Sequence, residues 1–290
     1  MSIRPLPGEA EGVEASAIPE KNRIGALVVA ARNQIPTAPA SPGFWVGERL
    51  YSSRNRLEIG SVAGVGSEIV IDIYVWTLDV DAHERERIRG HLSQDERGRA
   101  ARFVTQRDRE RFVAARGRLR EILAKYAACD PAAVAFNYNP HGKPRLRGGG
   151  PNFNLSHSEN LAILAIADSA EIGVDLEAIR PLREDIAERF FSPTEVLELR
   201  GLPDDDQVKG FYRCWTLKEA FVKAVGMGLT LPLDGFDVSI AGPPRLNRLA
   251  SEFGAKEDWS LVQLEPSPGF VGAICCRSGG LSLHLRRPPT

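Results

Sequence analysis

The sequence predicts an α+β chain with two similar lobes, and three observations carry the prediction. Segments of strand type, with period-two alternation and β-branched or aromatic residues, occur at 69–78, 161–167 and 172–177 and return after 236. Helical stretches with capping signals stand between them, at 93–128 and 182–225. The order is therefore strand, helices, strands, then helices and strands again. No residue-level repeat is visible, so the two lobes rest on the order of elements alone.

Composition sets the outer bounds. The chain has 290 residues, 43 % hydrophobic and 26 % charged, with 37 Lys+Arg against 38 Asp+Glu and a formal net charge of −1. A chain of this length buries roughly three quarters of its unfolded surface and needs no disulfide or metal to fold. Near-neutral charge argues against a surface devoted as a whole to nucleic acid or anionic membrane, but leaves room for a local basic site. Cys129, Cys214, Cys275 and Cys276 contain no CxxC pair, so a disulfide framework is not expected and a reducing, cytoplasmic setting is. No apolar run reaches the roughly 18 residues of a spanning helix, and Met1-Ser2-Ile3-Arg4-Pro5 does not read as a secretory signal.

Residues 1–67 read as an N-terminal extension, partly irregular, with Pro5, Pro7, Pro19, Pro36, Pro39 and Pro42 and one short apolar element at 24–31. IVIDIYVWTL (69–78) is the first strand. Ser93 and Glu96 form a capping box that opens a helix. A second helix covers about 106–128, with Phe112, Ala115, Leu119, Ile122, Leu123 and Tyr126 on one face. HGKP (141–144) is a turn, and Phe153-Asn154-Leu155 enters a short strand. LAILAIA (161–167) and IGVDLE (172–177) are expected to pair as a hairpin through 168–171. A helix begins near Leu182, and Ser192-Pro193-Thr194-Glu195 opens another with proline at its first position. A long helix spans about 205–225 and stops at Gly226, and strands at 236–240, 259–265, 270–276 and 281–285 complete the chain.

Three carboxylates are candidates for one metal site. Asp175 and Glu177 stand at i and i+2 of a strand, hence on one face, while Val174 and Leu176 point to the core. Adjacent carboxylates repel unless a cation lies between them. The same pattern also fits an exposed strand face that carries acids. Glu219 borders the apolar stripe of Phe211, Trp215 and Val222, and Lys223 follows it at i+4. The bland alternative for that pair is a surface ion pair worth a few tenths of a kcal/mol. An all-oxygen set with few ligands suits Mg²⁺, which shares its coordination with waters and substrate phosphates.

Residues 93–120 hold nine arginines against four acids, a local charge of +5. Arginine forks match phosphate bidentately, although a solvated helix face explains most of such a run. Lys143 and His157 add further cationic or donor groups. GxxxxGK[ST], GxGxxG and GxSxG are absent, so P-loop, Rossmann and hydrolase-elbow readings fall away. An arginine-rich nucleic-acid-binding module remains as a reading of another class; its mark is strongly salt-dependent binding.

Together, HGKP (141–144), FNLSHS (153–158), IGVDLE (172–177), FFSPTE (190–195) and FYRCWTLKEAFVKAVGMGL (211–229) resemble the ordered motif set of the 4′-phosphopantetheinyl transferases of the surfactin-synthetase-activating type. The GxDxE hallmark is Gly173–Glu177 and the WxxKEAxxK hallmark is Trp215–Lys223. The resemblance covers about 70–285. It implies a single-chain pseudo-dimer of α+β lobes, 68–178 and 179–290, with coenzyme A between them. The implied reaction moves the phosphopantetheine arm of coenzyme A to a serine of an apo acyl or peptidyl carrier protein and releases adenosine 3′,5′-bisphosphate. By resemblance, Asp175, Glu177 and Glu219 hold Mg²⁺ and Lys223 meets the pyrophosphate. The carrier serine needs a base, and Glu219, or a metal-bound water beside it, is expected to supply it, so Glu219 and Lys223 are the expected catalytic residues. Ser156 and His157 contact the phosphate end of the adenosine, Lys143 and Pro144 flank the adenine, and Arg111 and Arg99 supply further coenzyme contacts. The expected partners are coenzyme A and a carrier protein, without nucleic acid or membrane, and the expected state is a monomer. An inactive coenzyme-A-binding relative is the remaining alternative, against which all three carboxylates and Lys223 are present.

Overall fold

The computed structural model describes residues 45–46, 49–50, 69–182 and 185–289. A short ladder of β1 (Trp45–Val46) and β2 (Arg49–Leu50) precedes β3 (Ile69–Thr77) and the helices α1 (Ala82–Arg89), α2 (Gln94–Ala101) and α3 (Gln106–Ala127). Then come β4 (Phe136–Tyr138), β5 (Pro144–Leu146), β6 (Asn152–Ser158), β7 (Leu161–Ala167) and β8 (Ile172–Ala178). Helices α4 (Ile186–Phe190), α5 (Pro193–Arg200) and α6 (Asp204–Val225) follow. The chain closes with β9 (Asp237–Val238), β10 (Leu246–Arg248), β11 (Ser260–Leu264), β12 (Phe270–Cys276) and β13 (Leu281–Arg286). The apolar stretch expected at 24–31 lies outside the described residues, as does most of the extension 1–67.

Two sheets carry the architecture, in the orders β13-β3-β7-β6 and β11-β12-β8. β3 shows why they stack. Ile71 and Ile73 on one face join Ile163, Ala165, Val174, Leu176 and Ile274 in a core between the sheets. Tyr74 and Trp76 on the other face pack with Leu119, Ile122 and Leu123 of α3. The period of two on the strand and of 3.6 on the helix thus sorts each residue to its layer. The fold is α+β, as expected.

The expected hairpin of 161–167 with 172–177 does not form. β7 is buried on every residue and has β3 on one edge and β6 on the other, so no edge is left for β8. β8 instead pairs antiparallel with β12. The chain end compensates in the other direction: β13 returns to lie parallel to β3, and Arg286 pairs with Asp72 at 2.6 Å. Each sheet therefore takes a strand from the other half of the sequence. The strand expected at 236–240 is only the two-residue β9. α1 was not anticipated, because AHERERIR buries Ile88 alone and has no apolar stripe.

A repeat that the sequence conceals appears in the fold. α2 and α5 are both eight residues long and both open on a capping box, Ser93 with Glu96 and Ser192 with Glu195. α3 and α6 are both 22 residues long. Arg120 and Lys218 occupy the same position in those two helices, and each pairs with the capping-box glutamate of its own half, Glu96 at 2.5 Å and Glu195 at 2.8 Å. Each also lies over a phenylalanine ring, Phe136 at 5.4 Å and Phe236 at 4.4 Å. A buried cation thus fastens the long helix to the capped helix in both halves.

Candidate active site

Strand β8 and helix α6 build the site, and Gly173 sets their separation. A Cβ there would lie 2.0 Å from the Ala220 carbonyl oxygen, so only glycine lets α6 lie this close to the strand. Two residues on, Asp175 faces the same way and is 3 % exposed. Its Oδ1 accepts from Ser156 Oγ at 3.0 Å and from Lys223 Nζ at 2.5 Å, and the Lys223 ammonium lies 3.1 Å from Ser156 Oγ. Glu177 accepts from Ser158 Oγ at 2.9 Å. Asn154 accepts from the Val174 backbone N–H at 2.9 Å. Asn154, Ser156 and Ser158 alternate along β6, so one face of that strand satisfies the edge of β8 through side chains. Asn154 and Ser158 were not among the expected site residues. The polar alternation within FNLSHS is the signal that marks them.

The electrostatics follow from three acids and one lysine in a shielded place. Burial first, and then the Asp175 charge, push the Glu177 carboxyl up to about 8. The same two causes in the same order push Glu219 up to about 7. Burial pulls the Lys223 ammonium down, but Asp175 and Glu219 outweigh it and hold the group above its ordinary value. Lys223 retains 27 % of its side-chain exposure and so opens toward solvent. The other oxygen of Asp175, Oδ2, is buried with no hydrogen-bond partner. A buried unsatisfied carboxylate oxygen is costly, and a hard cation satisfies one. The donor set is all oxygen, which fits Mg²⁺. Among the described residues no three His, Cys, Asp or Glu side chains converge as a ready-made ligand set. Here the cation facing Asp175 is Lys223.

The structure therefore joins Asp175, Ser156 and Lys223 by hydrogen bonds, with Glu177 and Glu219 near enough for the Asp175 charge to act on both. The other expected residues have contacts of their own. His157 is exposed, on the opposite side of β6 from Ser156 and Ser158. Lys143 donates from its ammonium to the Ile172 carbonyl at 3.0 Å and to the Ala224 carbonyl at 2.7 Å, so it ties the turn before Pro144 to the start of β8 and the end of α6. Arg111 is held bidentately by Asp79 at 2.8 and 3.0 Å and meets Glu159 at 3.2 Å. Glu159 also takes Arg107 and Arg180. Arg99 is exposed, with its guanidinium 5.3 Å from the centre of the Phe112 ring. Five of the nine arginines at 93–120, namely Arg107, Arg111, Arg116, Arg118 and Arg120, pair with carboxylates of this chain. That internal pairing weakens the reading of the segment as a nucleic-acid surface.

Comparison with known proteins shows the family. Residues 171–275 match the family model of the 4′-phosphopantetheinyl transferase superfamily, and residues 80–169 match the model of a 4′-phosphopantetheinyl transferase N-terminal region. The 4′-phosphopantetheinyl transferase HetI of Nostoc sp. is 38 % identical over 219 residues, which are 72 % of this chain and 89 % of that protein. A 4′-phosphopantetheinyl transferase of Bacillus subtilis is 38 % identical over 205 residues, 67 % of this chain and 91 % of that protein. The Bacillus subtilis transferase Sfp is 35 % identical over 193 residues, 66 % of this chain and 85 % of that protein. Identity of this extent, together with family-model matches in both halves, means that the chain belongs to the 4′-phosphopantetheinyl transferase superfamily.

Proposed function

We propose that the cluster on β8 and α6 is where this transferase moves the phosphopantetheine arm of coenzyme A to a serine of an apo acyl or peptidyl carrier protein. The observation that carries the reading is the unsatisfied Oδ2 of Asp175 beside Glu177, Glu219 and Lys223. Asp175, Glu177 and Glu219 would hold Mg²⁺, which when bound offsets the negative charge of the diphosphate. Lys223 places a second positive charge at the same point, fixed there by Asp175 and Ser156 before substrate arrives. Glu219 is the proposed base, one helical turn from Lys223. The serine Oγ forms a bond to the phosphorus that carries the pantetheine arm, and its proton passes to Glu219. The bond from that phosphorus to the bridging oxygen breaks, and the electron pair leaves with adenosine 3′,5′-bisphosphate. Alignment and charge do most of this work, since the carrier serine supplies the nucleophile.

The same reading extends to the wider molecule. The lobes are assigned to 68–178 and 179–290, with the extension 1–67 before them; the two family matches also divide the chain in two, but meet between 169 and 171, ahead of β8. Ser156, His157, Lys143, Pro144, Arg99 and Arg111 are assigned to the coenzyme. The chain acts as a cytoplasmic monomer, since one chain supplies both lobes. Coenzyme A and the carrier are its partners, and neither nucleic acid nor membrane takes part. No helix among the described residues is long and apolar enough to cross a membrane.

The deciding experiment incubates the full chain with coenzyme A, Mg²⁺ and a panel of apo carrier proteins and reads intact masses. One carrier is expected to gain the mass of the arm, and only when Mg²⁺ is present. No gain on any carrier, with coenzyme A unconsumed, overturns the assignment.

A further inference from the structure

A cavity of about 400 Å³ opens between α1, α2 and α3. It shares no residue with the acid cluster. Its floor is apolar and buried, formed by Leu92, Ala100 and Val113. Its rim is basic, with Arg85, Arg89, Arg97 and Arg109 set against Glu86 and Glu110, a surplus of two positive charges.

The arginines are not equivalent. Arg85 is matched by Glu110 at 2.9 Å, and Arg89 by Glu86 at 3.4 Å. Among the described residues Arg97 donates only to the Leu92 carbonyl, and Arg109 only to the Phe103 carbonyl at 3.3 Å. Among the described residues neither has a carboxylate partner. The surplus charge therefore resides on these two, and among the described residues most of their N–H donors have no partner. The first turn of α3 adds the positive end of a 22-residue helix, since Gln106 is its first residue and also lines the cavity.

We propose that this cavity binds a small organic phosphate ester, with the phosphate dianion held by Arg97 and Arg109 and a compact apolar part seated on Leu92, Ala100 and Val113. Two guanidinium forks with two unmatched charges suit one dianion. The volume lies at the small end of the roughly 300–1,000 Å³ typical of ligand sites. A polyanionic strand fits less well, because Glu86 and Glu110 interrupt the basic rim and would face its neighbouring phosphates.

The test is calorimetric titration of the full-length chain, without Mg²⁺, with phenyl phosphate, with inorganic phosphate and with benzyl alcohol. Phenyl phosphate is expected to bind saturably with one-to-one stoichiometry, and benzyl alcohol not at all. Arg97→Gln/Arg109→Gln should weaken phenyl phosphate at least about tenfold, the scale of one or two lost charge-assisted bonds, without moving the unfolding midpoint. Lys substitutions at the same positions should retain part of the affinity. Asp175→Ala and Lys223→Ala should leave it unchanged. Should the double variant not fold, Arg109→Gln alone, on an exposed side chain, gives the same reading. Absence of saturable heat in the millimolar range, or equal affinity in the arginine variants, overturns the site. Loss of binding in Lys223→Ala also overturns it, by placing the anion at the acid cluster. Inorganic phosphate binding as tightly as phenyl phosphate removes the apolar part of the assignment.

Discussion

Lys223 and Ser156 both engage the same oxygen of Asp175, at 2.5 and 3.0 Å, and leave the other carboxylate oxygen buried without a partner. The lysine thus balances one acid out of three. Glu177 and Glu219 answer with raised carboxyl values, because burial and the Asp175 charge act on both. The site is acidic and only partly compensated by Lys223, which supports the proposal that a further cation is held there.

Glu219→Gln is expected to lower arm transfer by about 10²- to 10⁴-fold, the span of general-base contributions, with an unchanged unfolding midpoint. Asp175→Ala should abolish the Mg²⁺-dependent part of the rate. Steady-state transfer to an apo carrier measures both. Normal turnover of Glu219→Gln at saturating Mg²⁺ removes the base, and undiminished activity of Asp175→Ala removes the metal assignment.

His157 is exposed at the tip region of β6, two residues before Glu159, which gathers Arg107, Arg111 and Arg180. His157→Ala is expected to weaken coenzyme A about tenfold more than dephospho-coenzyme A, the worth of one charge-assisted contact to the 3′-phosphate. Affinities for the two nucleotides decide. An equal loss assigns His157 a structural role.

Gly173→Ala should separate strand from helix. The added methyl meets backbone, the Ala220 carbonyl oxygen at 2.0 Å and the Ala224 nitrogen at 2.4 Å, so no rotamer change relieves it. Destabilisation of about 1–3 kcal/mol is expected from overpacking, together with loss of transfer as Lys223 is carried away from Asp175. Urea titration and a transfer assay on the same sample check it; a fully active, equally stable variant refutes the packing argument.

Lys218 and Glu195 are 0 % and 1 % exposed, and the lysine also donates to the Leu233 and Phe236 carbonyls at 2.7 and 2.6 Å. Lys218→Met leaves a buried carboxylate unpaired and should cost about 3–5 kcal/mol. Adding Glu195→Gln should return part of it, since no charge then remains in the interior. A double-mutant cycle by denaturant unfolding measures the coupling.

Lys143 gives a pH signature. Burial pulls its ammonium down to about 8 from 10.5. Between those values the unfolded chain binds more protons at this residue than the folded one, so its contribution to stability rises with pH across that window and is lost as pH falls through about 8. Lys143→Met should flatten the pH dependence of unfolding there relative to the parent protein. Parallel curves for the two proteins exclude the effect.

Much of this protein is determined by local sequence. The capping boxes at Ser93 and Ser192, the stop at Gly226 and the alternation of IGVDLE follow from interactions within a few residues, and each appears where the spacing puts it. The family also shows locally, because GxDxE and WxxKEAxxK are short. Tertiary structure decided what local rules do not reach. It paired β8 with β12 because β7 had no free edge, and it brought β13 back to β3 from the far end of the chain. It also exposed the repeat, which stays hidden in the sequence because one half uses Arg120 and the other Lys218 for the same buried contact. Strand partners and buried ion pairs depend on residues distant along the chain, and only the packed molecule sets those distances.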